Sequence, residues 1–175
     1  MDWTNVEDER PSKDIRPHSN PADDQRGLDR LDIAILARLL TDGRVSLRQM
    51  AHEFHSSTST VSSRVSKLER IGVIKGYSAT VDFESLGYDL TAVTEIMVSK
   101  GKLASTEKEV AKLPGVCAVY DVTGENDGVI IAKFRRRQDL SDFAKGLLSM
   151  PFVERANTHV VLATVKEDFR LPLPP

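Results

Sequence analysis

Cysteine is almost missing from this sequence of 175 residues, which contains one, Cys117. A lone thiol excludes an internal disulfide and is typical of a protein in a reducing cytoplasm. The four histidines form no H-E-x-x-H pattern, and glycine-rich phosphate loops and nucleophile elbows are also missing. We therefore predict no metal site, no catalytic residues, no enzyme activity and no cofactor. No apolar run approaches the roughly 18 residues that cross a bilayer, so we expect no membrane segment.

The stretch from Ser56 to Gly72, SSTSTVSSRVSKLERIG, separates apolar from polar residues along one predicted helix. At roughly 100° per residue, its inward stripe consists of Val61, Val65, Leu68 and Ile71. The opposite side has hydroxyls and cations but no carboxylate, which suits a helix lying in a DNA groove, with hydroxyls at base edges and cations at phosphates. An ordinary solvated face is the alternative. The predicted DNA-binding residues are Ser57, Thr58, Ser59, Thr60, Ser62, Ser63, Arg64, Ser66, Lys67 and Arg70.

Two shorter predicted helices precede this one. Asp29 is placed to cap the first helix, and Ser46 with Gln49 forms a capping-box pattern at the start of the second. His55 and Ser56 make a tight turn, after which Ser57 is placed to cap the third helix. Three short amphipathic helices with such a turn are typical of a helix-turn-helix unit that binds double-stranded DNA.

Charge supports this interpretation locally. Residues 28–75 contain eight Lys and Arg against five Asp and Glu, a surplus of three, whereas the whole chain has a formal net charge of −2. A surplus of this size is modest. Tight DNA binding therefore needs two or more copies acting together.

The second half of the sequence repeats one pattern twice. Residues 90–98, 103–113 and 116–123 are predicted as strand, helix and strand, and residues 128–135, 140–149 and 153–165 repeat that order. This weak repeat predicts a ferredoxin-like βαββαβ domain, and hence an α+β protein.

Both faces of the predicted sheet carry apolar residues. Strand alternation places Ile130 on one face of the sheet and Val129 on the other. It likewise places Val116, Ala118 and Tyr120 on one face and Val119 on the other. Because two helices cover only one face, the other face needs a partner. A second copy of the sheet gives a homodimer with twofold symmetry; packing on the amino-terminal domain is the alternative.

Several segments resemble the Lrp/AsnC, or feast/famine, transcription regulators of bacteria and archaea. They are LDRLD at 28–32, DGR at 42–44, residues 57–68, GVIKGY at 72–77, LGY at 86–88, Thr123-Gly124 with Asp127, and Thr158 with VVL at 160–162. The resemblance implies a winged-helix-like helix-turn-helix domain at 28–75, a hinge strand at 76–89 and a ligand-binding and dimerisation domain at 90–168. It also implies dimers that assemble into tetramers or octamers.

The resemblance further implies an amino acid or related metabolite as the effector. The matching effector residues are Gly124, Glu125, Asn126 and Asp127 in one loop, together with Thr158 in the last strand. Gly124 is expected to offer a backbone donor to a carboxylate, and Asp127 to face an ammonium group. Taken alone, the Asn-Asp-Gly run is a hairpin turn.

Other parts of the sequence depart from the family or leave alternatives open. Thr58 and Thr60 stand where the family often has prolines, so we expect DNA shape to supply part of the site preference. Residues 1–27 are interpreted as a flexible acidic arm, and residues 169–175 as a loose tail. A sirohaem decarboxylase-like enzyme and an architectural DNA-compacting protein are the two alternative functions.

Overall fold

The computed structural model describes residues 27–173, so the predicted arm lies outside the described residues except for Gly27. The chain divides into two compact units. The first contains the described residues up to Ser78 together with those from Arg170 onward, and the second is Ala79–Phe169. No helix of the described part is long and apolar enough to span a membrane.

Three helices form the first unit: α1 (Arg30–Thr41), α2 (Leu47–Glu53) and α3 (Thr58–Arg70). Each begins where the sequence predicts, because a side-chain oxygen accepts one of the N–H groups that the first helical turn leaves unpaired. Asp29 accepts from the N–H of Asp32 at 2.9 Å, Ser46 from that of Gln49 at 3.1 Å and Ser57 from that of Thr60 at 3.0 Å.

The inward stripe of α3 packs on the other two helices. Val61, Val65 and Leu68 are buried with Ile35 of α1 and Met50 of α2. The prediction that Ile71 belongs to this stripe is wrong, because α3 ends at Arg70 and Ile71 is 43% exposed at the C-cap.

The hinge strand predicted at 76–89 is not formed within the chain. This segment contains a bend and a turn, and its residues are almost all exposed. A strand needs a neighbouring strand to satisfy its backbone groups, and none of the four strands formed by residues 27–173 pairs with this segment.

The second unit is the predicted ferredoxin-like sheet with two helices. Its elements are β1 (Leu90–Val98), α4 (Leu103–Val110), β2 (Val116–Asp121), β3 (Gly128–Phe134), α5 (Arg137–Ser149) and β4 (Val153–Val160). The strand order is β2-β3-β1-β4, and all neighbouring strands are antiparallel. Helix α5 begins before the predicted Leu140, and β4 ends before the predicted Val165.

One face of the sheet and the two helices enclose the core of the second unit. Ile96 and Ile130 from the sheet are fully buried there with Val110 of α4 and Leu147 of α5. The other face, which we call the open face, contains half-buried residues such as Val129 of β3 and exposed residues such as His159 of β4. The predicted apolar character of both faces of β3 is confirmed.

A β-bulge in β2 interrupts the strict alternation that the sequence predicts. The register shifts between Val116 and Ala118, so that Val116 lies opposite Ala132 while Val119 lies opposite Ile130. Val116 and Val119 therefore both pack on the helix-covered core, contrary to strict alternation. The extra residue at the bulge, Cys117, is exposed.

Candidate DNA-binding face and effector loop

The side of α3 that points away from the core is polar and accessible. We call Ser59, Ser63, Ser66 and Arg70 the outward face, and all four residues are exposed. They recur at three- or four-residue spacing, which keeps them on one side of the helix. Thr58 is also exposed, whereas Ser62 is half-buried on the flank.

Hydroxyl groups cluster at the start of α3. The Oγ of Ser57 lies 2.8 Å from the Oγ of Ser59 and 2.8 Å from the Oγ1 of Thr60. Since each hydroxyl can donate and accept, this cluster is compatible with either kind of base edge or with a phosphate oxygen.

Arg64 and Lys67, which the sequence predicts to bind DNA, are both engaged in ion pairs within the first unit. The Nη1 of Arg64 lies 2.6 Å from the Oδ2 of Asp29 and 3.4 Å from the Oδ1 of Asp32. The Nζ of Lys67 lies 3.0 Å from the Oδ2 of Asp32 and donates to the carbonyl of Gly27 at 2.9 Å. These two cations point to the start of α1, so Arg70 is the cation of the outward face.

The carboxylates of Asp29 and Asp32 each accept a backbone hydrogen bond in addition to these ion pairs. Asp32 is completely buried, and its Oδ2 also accepts from the backbone N–H of Asp29 at 3.3 Å. The backbone N–H of Asp32 holds the pKa of Asp29 below its ordinary value, and the charge of Arg64 acts in the same direction.

Exposed cations occur in the first unit both on α3 and outside it. Five of them have no ion pair with a residue of the described part of the chain: Arg30, Arg44, Arg48, Arg70 and Lys75. Sequence reasoning did not single out Arg44 and Arg48, which precede and begin α2. Their position near a helix start is visible in the sequence, but the sequence does not show that their guanidinium groups have no ion pair among the described residues.

The turn between α2 and α3 has an unusual backbone. His55 has φ = 49°, and no other non-glycine residue in the part of the chain that the structure describes has a positive φ. This left-handed conformation disfavours a residue with a Cβ atom. It reverses the chain so that Ser57 can cap α3.

The predicted effector loop connects β2 to β3. Gly124, with φ = 135°, and Glu125 are exposed, while Asn126 and Asp127 are half-buried. The backbone N–H of Asp127 donates to the carbonyl of Ile96 at 2.9 Å, and its Oδ2 accepts from the N–H of Val98 at 2.8 Å. Asp127 thus anchors the loop to β1, a structural role that sequence reasoning missed.

Thr158 lies on β4 beside the same strand. It pairs with Thr94 of β1, and the two Oγ1 atoms are 3.0 Å apart. The loop and Thr158 therefore both contact β1, from different neighbouring elements. No cluster of three or more metal-ligating side chains occurs in residues 27–173.

A helix-turn-helix with a hydroxyl-rich outward face, joined to a ferredoxin-like unit, defines a class of DNA-binding regulators with a separate ligand-binding domain. Comparison with known proteins agrees: residues 28–75 match the winged helix-turn-helix DNA-binding family model, and residues 91–171 match the Lrp/AsnC ligand binding domain. An uncharacterised HTH-type transcriptional regulator of Pyrococcus abyssi is 47% identical over 144 residues, which cover 82% of this chain and 98% of the relative. The chain belongs to the Lrp/AsnC family of transcription regulators.

Solved structures show the same fold. A transcriptional regulator of Neisseria meningitidis, solved as a complex with L-Met, has 31% sequence identity and a TM-score of 0.75, over 83% of this chain and 96% of the other. AsnC of Escherichia coli has a TM-score of 0.77 at 24% identity, over 83% of this chain and 99% of the other.

Proposed function

We propose that the outward face of α3 reads the major groove of a specific DNA site and that an amino acid bound to the second unit modulates this binding. The observation that carries the first part is the exposure of Ser59, Ser63, Ser66 and Arg70 on a face without carboxylates or bulky apolar groups. Hydroxyls discriminate bases less sharply than bidentate side chains, so DNA shape contributes to the choice of site.

A negative charge introduced at the middle of the outward face tests this proposal. Ser63→Glu adds a carboxylate where DNA phosphates and base acceptors would lie, and we expect a loss of affinity of about 100-fold or more. Ser105→Glu is the matched control, since Ser105 is an exposed serine on α4 of the second unit and the change in net charge is identical. Fluorescence anisotropy with the promoter DNA of its own gene measures both. Equal affinities for the two variants would refute the assignment of this face.

The open face of the sheet supports a second copy as a partner. On this face Ile131 of β3, Val93 of β1 and His159 of β4 lie side by side across three neighbouring strands. Apolar groups at its centre favour coverage by protein, and a twofold dimer would present two α3 helices to one DNA molecule. Ile131→Glu should convert the dimer or larger assembly to monomers in sedimentation velocity, whereas Lys145→Glu on α5 should not. Two unchanged sedimentation profiles would place the interface elsewhere.

The loop between β2 and β3 is the proposed effector site. The family match and the L-Met complex of the Neisseria regulator support an amino acid as ligand. Since Asp127 already accepts from Val98, the exposed Glu125 is the loop carboxylate available to a ligand ammonium or a polar side chain. Calorimetric titration with the twenty amino acids should give saturable heat for at least one, and Glu125→Gln should weaken it. The absence of saturable heat for all twenty would contradict this part.

A further inference from the structure

The contact between α1 and α3 forms a ladder of ion pairs with matching spacing on both helices. Asp29, the cap of α1, and Asp32, in its first turn, are three residues apart, and Arg64 and Lys67 are three residues apart on α3. A spacing of three residues places side chains on neighbouring turns of one face. The ladder therefore fixes both the sliding and the rotation of α3 against α1.

Asp32, the buried residue of the ladder, determines which partner Lys67 keeps. Asp32 is fully buried and has three donors in place: the N–H of Asp29, Lys67 Nζ and Arg64 Nη1. A buried carboxylate that loses its partner is strongly unfavourable, whereas a phosphate on DNA is well solvated without a protein contact. Lys67 is therefore held by Asp32 in preference to a phosphate.

The ladder also determines what α3 offers to DNA. At roughly 100° per residue, Arg64 lies about 100° around the helix from Ser63, on the flank that faces α1. If α3 rotated about its axis so that Arg64 moved to the outward side, Ser63 would move away from it. Lys67 lies only about 40° around the helix from Ser63, and its contact with Asp32 draws its side chain towards α1. The apolar stripe resists such a rotation, but ion pairs and hydrogen bonds are more directional than apolar contacts.

We propose that Asp32, with Asp29, is a positioning residue for DNA recognition, which holds Arg64 and Lys67 away from phosphates and presents the serine and arginine face to the groove. The proposal rests on the DNA-binding role of the outward face. Arg64 and Lys67 then contribute to affinity through the orientation of α3, and Arg70 contributes through a phosphate contact.

Salt dependence separates the two roles. A lost phosphate contact lowers the slope of log affinity against log salt by about 0.9, whereas a lost positioning contact lowers affinity without changing the slope. We expect Lys67→Met to weaken DNA binding about tenfold at every salt concentration, with an unchanged slope. Arg70→Ala should lower the slope by about 0.9. Lys108→Met on α4 is the charge-matched control and should change neither quantity.

The sign of the effect at Asp32 gives a second test. Asp32→Asn removes a negative charge and would strengthen binding if Lys67 were thereby released to a phosphate. The ladder predicts that Asp32→Asn binds DNA more weakly with an unchanged salt slope. Asp32→Glu should recover the affinity, and adding Lys67→Met to Asp32→Asn should cause no further loss of affinity. Circular dichroism checks that each variant is folded, and the Lys67→Met slope decides the question if Asp32→Asn does not fold.

The outcomes distinguish this inference from the proposed function. A lower slope in Lys67→Met, or tighter binding by a folded Asp32→Asn, overturns the ladder while leaving the outward face intact. An unchanged affinity in both Ser63→Glu and Arg70→Ala overturns the outward face itself.

Discussion

Gly115 provides a sharp test of the packing of the second unit. It precedes β2 with φ = +84°, and a Cβ atom there would lie 2.6 Å from the carbonyl oxygen of Lys133 on β3. The Gly115 carbonyl also accepts from the N–H of Lys133 at 2.8 Å, so the two backbones cannot separate without loss of that hydrogen bond. Gly101 has φ = +78° with no atom within 4 Å of an added Cβ, and it is the matched control.

The expected magnitudes follow from these contacts. Both Gly→Ala changes place an alanine in the left-handed region, at a cost of about 1–2 kcal/mol, partly offset by the stiffer unfolded chain. Gly115→Ala adds a clash with backbone worth about 1–3 kcal/mol, and displacement of β3 weakens a hydrogen bond worth about 1 kcal/mol. We therefore expect Gly115→Ala to be more destabilising than Gly101→Ala by about 2–4 kcal/mol.

Urea unfolding followed by circular dichroism measures the difference, and hydrogen exchange in residues 90–134 assigns it to the second unit. Because a whole domain has a free energy of unfolding of about 5–15 kcal/mol, a loss of this size is readily detected. Equal destabilisation by the two substitutions would mean that β3 does not approach Gly115, and it would refute the bulged pairing of β2.

Three further predictions concern both units. Leu68→Ala should destabilise the first unit by about 3–5 kcal/mol in urea unfolding because Leu68 is fully buried, and a loss under 1 kcal/mol would contradict that packing. His55→Val should lower the free energy of unfolding by about 1–2 kcal/mol whereas His55→Gly should not, since φ is 49°; equal losses would contradict the left-handed turn. Burial, and then the charge of Asp121, raises the pKa of Glu107, so the folded state gains stability as the pH falls through that pKa. Glu107→Gln should therefore stabilise the protein at pH 7 but not below the ordinary pKa of 4.5, and a pH-independent effect would contradict the burial.

Local signals made the helix starts predictable from the sequence. The caps Asp29, Ser46 and Ser57 each contact a residue three positions later, so the whole interaction lies within a short window. The same holds for the strand and helix order of the second unit, where apolar alternation marks the strands and Pro114 and Pro151 follow the two helices.

Features that depend on distant residues were not predictable in the same way. The bulge at Cys117 is a property of the pairing between β2 and β3, and alternation along β2 alone cannot reveal it. The strand expected at 76–89 requires a neighbouring strand, and no strand of the described residues pairs with this segment. Helical periodicity along α3 located the outward face. The contact between Asp127 and β1 joins residues 29 positions apart, so no local pattern could identify it.

The distribution of charge in the helix-turn-helix unit shows why a sequence count describes DNA binding incompletely. Residues 28–75 have a surplus of three positive charges, and the count treats every cation as equivalent. In the structure the carboxylates Asp29, Asp32, Asp42 and Glu53 are each paired with Arg38, Arg64 or Lys67, and Glu69 accepts from the hydroxyl of Tyr77. These pairs neutralise three of the cations and leave Arg30, Arg44, Arg48, Arg70 and Lys75 without a carboxylate partner among the described residues. Because counterion release depends on the cations that reach phosphates, the salt slope should follow those surface residues rather than the net charge.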